Sequence, residues 1–377
     1  MMAYAVRMKR VSKRFKSMHR GLLVLTVVLG LFGLVMQYSA AGGDATVFAI
    51  PQAVRLGLGL VLMLLLAMIP PSVLFRSSYI IYGVGVALLV MVEMVGIMGL
   101  GAQRWVGIGA FNLQPSELMK IGIILAIARY FQHVQLEHAR HYVVLIVPML
   151  LTLVPVGLIL AQPNLGTATI VSVIAFCMCF MAGLRWWYFA GAIGAVAASV
   201  PVIYHFLHDY QKQRVMTFLD PTTDPLGAGY NIIQSKIAIG SGGFMGKGLL
   251  NGSQGQLDFL PEKQTDFIFT MMTEEMGFIG AVFLLVLYAL LLGFAMLLAA
   301  RARSTYGRLI AAGVAALLFI HMFINMAMVM GLIPVVGVPL PFLSYGGSFL
   351  LTTLMACGLL QHVYINREQS LPRRSIV

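Results

Sequence analysis

The stretch FIGAVFLLVLYALLLGFAMLLAA, residues 278–300, contains 23 consecutive residues without a charged side chain. A helix needs about 20 predominantly apolar residues to cross the hydrocarbon core of a bilayer, so this run is long enough to span it. The stretch just before it, FLPEKQTDFIFTMMTEEMG (259–277), holds four of only 13 Asp and Glu residues in the 377-residue chain. The sequence therefore places a cluster of carboxylates immediately before the apolar part of a predicted membrane helix.

The composition of the whole chain agrees with this local pattern. Hydrophobic residues make up 60% of the sequence, charged residues 10%, and the mean hydropathy is +0.91. A soluble domain has about 25% charged residues, so the composition excludes that class. We predict an all-α, polytopic integral membrane protein with one membrane domain.

Apolar windows of about 19 residues predict about ten transmembrane helices. Their ranges are 21–40, 53–70, 79–99, 115–131, 142–161, 167–184, 187–206, 266–300, 309–331 and 345–364. The one long polar connection, residues 207–264, separates predicted helices 7 and 8. We therefore divide the chain into a basic tail (1–20), a membrane domain (21–365) and a second tail (366–377).

Basic residues give the predicted orientation. With the N-terminus in the cytoplasm, 17 of the 25 Lys and Arg residues fall on the cytoplasmic side, as the positive-inside rule requires. Both tails are then cytoplasmic and the loop 207–264 is extracytoplasmic. Topology and anionic lipid account for the net charge of +12, so no nucleic-acid partner is predicted. Eight basic residues depart from the rule and indicate an anionic ligand: Arg55, Arg104, Lys120, Lys212, Arg214, Lys236, Lys247 and Lys263.

Asp266 is the first candidate for chemistry. Thr265 is placed to act as the N-cap of the eighth span, with Asp266 in its first turn. One interpretation is that Asp266 only complements the helix dipole. The other is that the dipole and Lys263 keep its carboxylate ionised, ready to accept a proton from a substrate hydroxyl. Glu274 follows about two turns later on a similar face.

The long connection contains a glycine-rich segment with a lysine, GSGGFMGKG (240–248), which includes Lys247. Such a backbone can hold phosphate through its N–H groups, but a flexible turn is the other interpretation. The preceding IIQSKIAI (232–239) contains Lys236 and is apolar enough to lie on the bilayer or re-enter it.

Glu117 and Lys120 are spaced i, i+3 on the fourth predicted span. They can form an internal ion pair that hides both charges from lipid. Alternatively, Lys120 faces an anionic headgroup together with Arg104, which lies shortly before this span.

The segment GLIPVVGVPLPFLSYGGS (331–348) interrupts an apolar region with three prolines and ends close to Ser344 and Tyr345. Irregular backbone at membrane depth is tolerated only where protein or water satisfies it. We expect this segment to line a cavity opposite the Asp266 region.

These motifs together resemble a known family. The stretches concerned are RWVGIGAFNLQPSELMK, QPNLGTA, the run from DYQKQRV to QTDFIF, TEEMGFIG and GLIPVVGVPLPFLSYGGS. They resemble the SEDS family (shape, elongation, division and sporulation). The residues in these motifs are more similar to those of its elongation branch than to those of its division branch. The resemblance covers residues 20 to 365.

The resemblance implies a ten-span peptidoglycan glycosyltransferase of the bacterial cytoplasmic (inner) membrane that polymerises lipid II, with Asp266 as the catalytic residue. It implies a class B penicillin-binding protein as partner, with other membrane proteins of the elongation complex. Two positions depart from the family pattern, Gln264 for a usual His and Asn164 for a usual Asp. A divalent cation, Mg²⁺ or Mn²⁺, is an open option, and no metal ligands are assigned.

The alternative function is a transporter, or flippase, of lipid-linked cell-wall precursors, because a polar cavity with outer basic residues suits that activity too. For the enzyme, developing charge on the diphosphate leaving group requires preorganised cations. The candidate substrate-binding and supporting residues are Arg104, Glu117, Lys120, Arg214, Lys236, Lys247, Glu274, Ser344 and Tyr345.

Overall fold

The computed structural model describes residues 14–99, 102–108, 111–134, 143–206, 212, 216–220, 228–257, 259–260 and 262–371. Its helices and strands follow one another along the chain in this order: α1 (Arg20–Ala40), α2 (Ala49–Met68), α3 (Pro71–Val95), β1 (Ile97–Gly99), β2 (Ala102–Ile108), β3 (Phe111–Leu113), α4 (Pro115–His133), α5 (Val143–Ala161), α6 (Leu165–Met181), α7 (Trp186–Phe206), α8 (Ala228–Ser241), α9 (Ser253–Gln256), α10 (Ile268–Arg301), α11 (Thr305–Val329) and α12 (Gly347–Ile365).

Each of the ten predicted spans coincides with one helix, namely α1 to α7 and α10 to α12. Seven of these are long and apolar enough to cross a membrane: α1, α2, α3, α5, α10, α11 and α12. The prediction of a helical, multi-pass membrane protein is confirmed. The connection 207–264 is not purely a loop, because its described part contains α8 and α9.

The helices differ in how much of their surface is covered by protein. About 22% of the apolar window of α2, α3 and α5 is buried, against 67% for α11 and 78% for α12. α4 is also buried along most of its length, including Glu117 and Lys120. α4, α11 and α12 therefore form the centre of the bundle, and the apolar side chains of the outer helices face what would be lipid.

The two ends of the bundle have different connections. One end, which we call the loop end, carries the described residues 97–99, 102–108, 111–113, 242–257, 259–260, 262–267 and 331–346. The other end, the terminal end, carries the start of α1 and the end of α12. There the side-chain amide of Gln361 donates to the backbone carbonyl of His19 and accepts from its N–H, at 2.9 and 3.0 Å.

A small antiparallel sheet of β1, β2 and β3 lies at the loop end and was not predicted. The predicted third span, 79–99, is wrong at its C-terminal end, because the helix stops at Val95 and the chain turns extended at Gly96. Trp105 of β2 pairs with Ile97 of β1, and Val106 pairs with Leu113 of β3. The sheet places the backbone of Arg104 on β2 at the same end of the bundle as Asp266.

Candidate active site

Asp266 lies in a turn that precedes α10. The prediction that Thr265 is the N-cap of this helix is wrong, because the N-cap position is Phe267. The helix begins at Ile268, and the Thr265 hydroxyl bonds back to the carbonyl and carboxylate of Glu262, at 3.2 and 3.1 Å. Because Thr265 makes this local contact, its side chain does not cap the helix. Asp266 is therefore half-buried on a turn (residues 262–267) rather than in the first turn of a helix.

Side chains from distant elements hold this turn through its backbone carbonyls. The Ser344 hydroxyl donates to Thr265 O at 2.6 Å, and Gln37 of α1 donates to Gln264 O at 2.9 Å. Asn325 of α11 donates to Asp266 O at 2.9 Å. Each donor is at most 1% exposed. The turn is thus fixed from three sides by buried polar groups.

The segment 331–346, which was expected to line a cavity opposite the Asp266 region, packs directly against the turn. The N–H of Tyr345 donates to Gln264 O at 2.8 Å. Gly337 has φ +68°, and a Cβ added there would lie 3.2 Å from Asp266 Oδ2. Glycine suits position 337 because of its left-handed backbone, and a side chain there would also crowd the Asp266 carboxylate.

Arg55 of α2 is a candidate that the sequence interpretation did not select. Its guanidinium lies 4.5 Å from the centre of the Tyr345 ring. Its Nη1 atom is buried and has no hydrogen-bond partner among the residues that the structure describes. The only sequence signal was its position as a basic residue away from the cytoplasmic side. Tyr345 thus joins the turn that bears Asp266 to a nearby cation.

Glu274 holds the polar part of the long connection. Its Oε1 accepts from Lys247 Nζ at 2.7 Å and from Ser253 Oγ at 3.1 Å. The backbone N–H groups of Gln254 and Gly255 also donate to this carboxylate. Glu274 is fully buried, while the side chain of Lys247 is 29% exposed. Glu274 therefore binds the long connection of its own chain, while the side chain of Lys247 remains partly exposed to solvent.

The glycine-rich segment serves as a backbone partner of α10. At Gly277, with φ +64°, the helix is kinked and its hydrogen-bond ladder is interrupted. The N–H groups of Lys247 and Gly248 donate to the carbonyls of Glu274 and Glu275, at 3.0 and 2.9 Å. These N–H groups are thus occupied, which favours the structural interpretation of the segment over phosphate binding.

Glu117 and Lys120 form the internal ion pair that was one of the two interpretations. Lys120 Nζ lies 2.7 Å from Glu117 Oε1, and the two side chains are 1% and 5% exposed. Lys120 Nζ also lies 2.9 Å from Nε2 of His321. The ring Nδ1 of His321 lies 2.8 Å from the carbonyl of Leu317, so Nδ1 donates and Nε2 accepts from Lys120.

The remaining candidates lie apart from the turn or outside the described residues. Lys236 is exposed on α8 with the end of its side chain against Gly331, at the start of the segment 331–346. Arg214 lies outside the described residues, and for Arg104 only the backbone position is described. Asn164 caps α6 by accepting from Thr167 N at 3.3 Å.

The donor set for a metal is incomplete within the described part of the chain. No group of three or more His, Cys, Asp or Glu residues there is arranged to hold a metal ion. The carboxylate of Glu274 already accepts from Lys247, Ser253 and the backbone of its own loop.

The fold and the site define a multi-pass membrane protein with a turn at one end of its helix bundle that bears one aspartate and is held by buried polar side chains. The family model of FtsW, RodA and SpoVE, described as a cell cycle protein, matches residues 19–369. The chain therefore belongs to this family, as its motifs indicated.

Relatives match over most of their length. The peptidoglycan glycosyltransferase MrdB of Escherichia coli K12 is 42% identical over 352 residues, which are 92% of this chain and 93% of MrdB. A chain of a solved peptidoglycan synthase complex, reported to coordinate polymerization and crosslinking, is 38% identical with a TM-score of 0.81; the match covers 93% of this chain and 99% of that one. The crystal structure of the rod shape determining protein RodA of Thermus thermophilus is 33% identical with a TM-score of 0.70, covering 93% and 98%.

Proposed function

We propose that this protein is a peptidoglycan glycosyltransferase that polymerises lipid II during cell-wall elongation and rod-shape maintenance, with Asp266 as general base. Its family membership and its similarity to the peptidoglycan glycosyltransferase MrdB and the rod shape determining protein RodA support this proposal. The proposed role of Asp266 is supported by the hydrogen bonds through which Ser344, Gln37 and Asn325 hold its turn in place. A reacting group must be held within a narrow range of positions.

The reaction proceeds between two lipid-linked disaccharides at the outer leaflet. The Asp266 carboxylate accepts the proton of the 4-hydroxyl of the acceptor N-acetylglucosamine. The oxygen forms a bond to the anomeric carbon of the donor N-acetylmuramic acid, with inversion. The bond from that carbon to the diphosphate oxygen breaks, and the electron pair leaves with the polyprenyl diphosphate.

The leaving diphosphate needs cations that are in place before the reaction. Arg55 is the best supported of these, because it lies against Tyr345 and retains an unpaired nitrogen among the described residues. Lys236 and Lys247 are partly solvent-accessible at the same end of the bundle, and Arg104 and Arg214 complete the set. Lys120 acts from within the bundle, through its pair with Glu117.

The orientation and partners complete the proposal. The loop end faces the outside of the inner membrane, and the tails 1–20 and 366–377 are cytoplasmic, as the distribution of basic residues requires. A class B penicillin-binding protein crosslinks the strands that this chain makes, which fits the similarity to a chain of a peptidoglycan synthase complex. Other membrane proteins of the elongation complex assemble with the pair.

The central test is Asp266→Asn, assayed as purified protein with labelled lipid II and gel separation of glycan strands. Loss of a general base lowers the rate by about 10²–10⁴-fold. Glu262→Gln is the matched control, because it neutralises an exposed carboxylate in the same turn. Near wild-type polymerisation by Asp266→Asn would exclude it as the base, and equal losses in both variants would point to a distorted turn.

Liposomes with lipid II in one leaflet separate this enzyme from a precursor transporter. Strand synthesis from outer-leaflet lipid II, without exchange between leaflets, is the expected result. Leaflet exchange that yields no polymer would contradict the proposed function and support the transporter.

A further inference from the structure

The tip of the glycine-rich segment exposes large apolar side chains beside the kink of α10. Phe244 is 65% exposed, Met245 is 75% exposed and Phe278 is 59% exposed. The rings of Phe244 and Phe278 stack with their centres 5.8 Å apart. Contiguous exposed apolar patches on a protein mark contact with a membrane or a partner. We call these three residues the apolar tip.

The position of Phe278 sets the level of the apolar tip along the membrane normal. From Phe278 to Arg301 the helix has 24 residues, which rise about 36 Å at 1.5 Å per residue. The hydrocarbon core is about 30 Å thick. Because Arg301 marks the charged end of this helix, Phe278 lies at the opposite edge of the hydrocarbon core.

The apolar tip continues the exposed apolar surface of α10. Below it on the same helix, apolar side chains are exposed at helical spacing: Ile279, Phe283, Val286, Leu290 and Leu297. The residues before the kink are different, because those from Ile268 to Glu275 are buried in protein. The lipid-facing surface of α10 therefore begins at the kink, where the segment 243–245 widens it.

The apolar tip is attached rigidly to the helix. The N–H groups of Phe278 and Ile279 donate to the carbonyls of Gly243 and Phe244, at 2.9 and 3.2 Å. A Cβ on Gly277 would collide with the backbone of Gly246. The segment therefore moves with the kink, and with the buried half-helix that follows Asp266.

We propose that Phe244 and Met245 insert into the hydrocarbon edge of the bilayer at the loop end. Their partner is the acyl chains of ordinary bilayer lipids, since the surface is continuous with the lipid-facing side of α10 and carries no charged side chain. The inserted tip fixes the height of the kink relative to the membrane. It thereby fixes the height of the turn that bears Asp266, whatever reaction occurs there.

The test replaces Phe244 with Trp in a chain whose three native tryptophans, Trp105, Trp186 and Trp187, are changed to Phe. The protein is reconstituted in vesicles of phosphatidylcholine brominated at a shallow or a deep acyl position. We expect a blue-shifted emission that falls by at least half in shallow-brominated vesicles, relative to unbrominated lipid, and less in deep-brominated ones. Met245→Trp in the same background gives an independent second reading.

Asn251→Trp is the control, because Asn251 is exposed in the same connection and lies outside the apolar tip. We expect red-shifted emission and little quenching by bromine. Red-shifted, unquenched emission from Phe244→Trp and Met245→Trp would overturn the proposal. Blue-shifted emission without quenching would overturn it as well, because protein rather than lipid would then cover the tip.

Discussion

Within the described part of the chain, two ion pairs of a buried glutamate with a lysine differ in their surroundings. Lys120 and Glu117 lie on one helix in the centre of the bundle, and both are almost fully buried. Lys247 and Glu274 join a loop to the start of α10, and the lysine is 29% exposed. The N···O distance is 2.7 Å in both pairs.

The hydrogen bonds of the two carboxylates explain what each pair does. Glu274 accepts from a lysine, a serine hydroxyl and two backbone N–H groups. Glu117 Oε2 is buried without a hydrogen-bond partner among the described residues. Glu274 organises a loop, because its carboxylate accepts from backbone N–H groups of that loop. Glu117 instead pairs with the charged side chain of Lys120 in the interior of the bundle.

The largest stability effect is expected from Lys120→Met. It leaves Glu117 buried without its cation, which costs about 3–5 kcal/mol. The measurement is the free energy of unfolding in mixed micelles by denaturant titration. The double variant Glu117→Gln with Lys120→Met removes both charges and is expected to recover most of the loss. A double variant that is stable yet inactive would show that the lysine charge also serves the reaction.

A smaller loss is expected from Glu274→Gln, about 1.5–3 kcal/mol, because hydrogen bonds to a charged group are removed. The expected local result is faster amide hydrogen exchange in residues 246–256. Lys247→Met is the matched partner and should cost less, since Glu274 keeps its backbone donors and Lys247 is partly solvated. Equal losses for the two variants would contradict the assigned loop-organising role of Glu274.

The hydrogen bond from Ser344 to Thr265 O is a contact between neutral groups. Removing it tests whether such groups position the turn that bears Asp266. Ser344→Ala removes the donor to Thr265 O and the acceptor of Leu340 N, at a cost of about 1–3 kcal/mol because these backbone groups are left without their partner. We expect kcat for glycan synthesis to fall with little change in KM. Ser172→Ala, which removes a hydroxyl bonded within α6, is the control. Unchanged kcat for Ser344→Ala would show that the turn holds without this contact.

The smallest effect concerns His19, which caps α1 at the terminal end by accepting from Leu22 N at 3.0 Å. Burial, and then Arg367, hold the pKa of His19 below its usual value. Its contribution to stability is therefore complete above about pH 6.5 and declines as the pH falls through the lowered pKa. We expect the melting temperature to fall in this acidic range, and His19→Asn to reduce that dependence. An identical pH profile would contradict this role.

The helices were predictable because a membrane span is a local property of length and apolarity. The sheet was missed because its strands have three to seven residues and lie in an apolar context that also suits a helix end. Asp266 was selected from its place in the carboxylate cluster and from the family resemblance, and its role stays a prediction, but the start of its helix was misplaced. A threonine such as Thr265 can either cap a following helix or bond to a residue that precedes it in a turn. Only the contact with Glu262 in the structure decides between the two.

The contacts that hold the Asp266 turn were beyond local patterns. Gln37 reaches Gln264 across 227 positions, and Asn325 reaches Asp266 across 59. A polar residue in an apolar run indicates a buried partner without identifying it. Arg55 was counted among the unexplained basic residues, but its contact with Tyr345 depends on the packing of α2 beside the segment 331–346.

The long reach of α1 has a consequence for the order in which the protein is assembled. α1 precedes the other described helices along the chain, yet Gln37 donates to Leu343 O at 2.7 Å and the side chain of Gln361 bonds to the backbone of His19. These polar groups of α1 gain their partners only after residues 343 and 361 have been synthesised. A nascent chain that stalls before residue 340 leaves the Gln37 amide without the Leu343 acceptor, so α1 is among the last of the described helices to reach its native contacts.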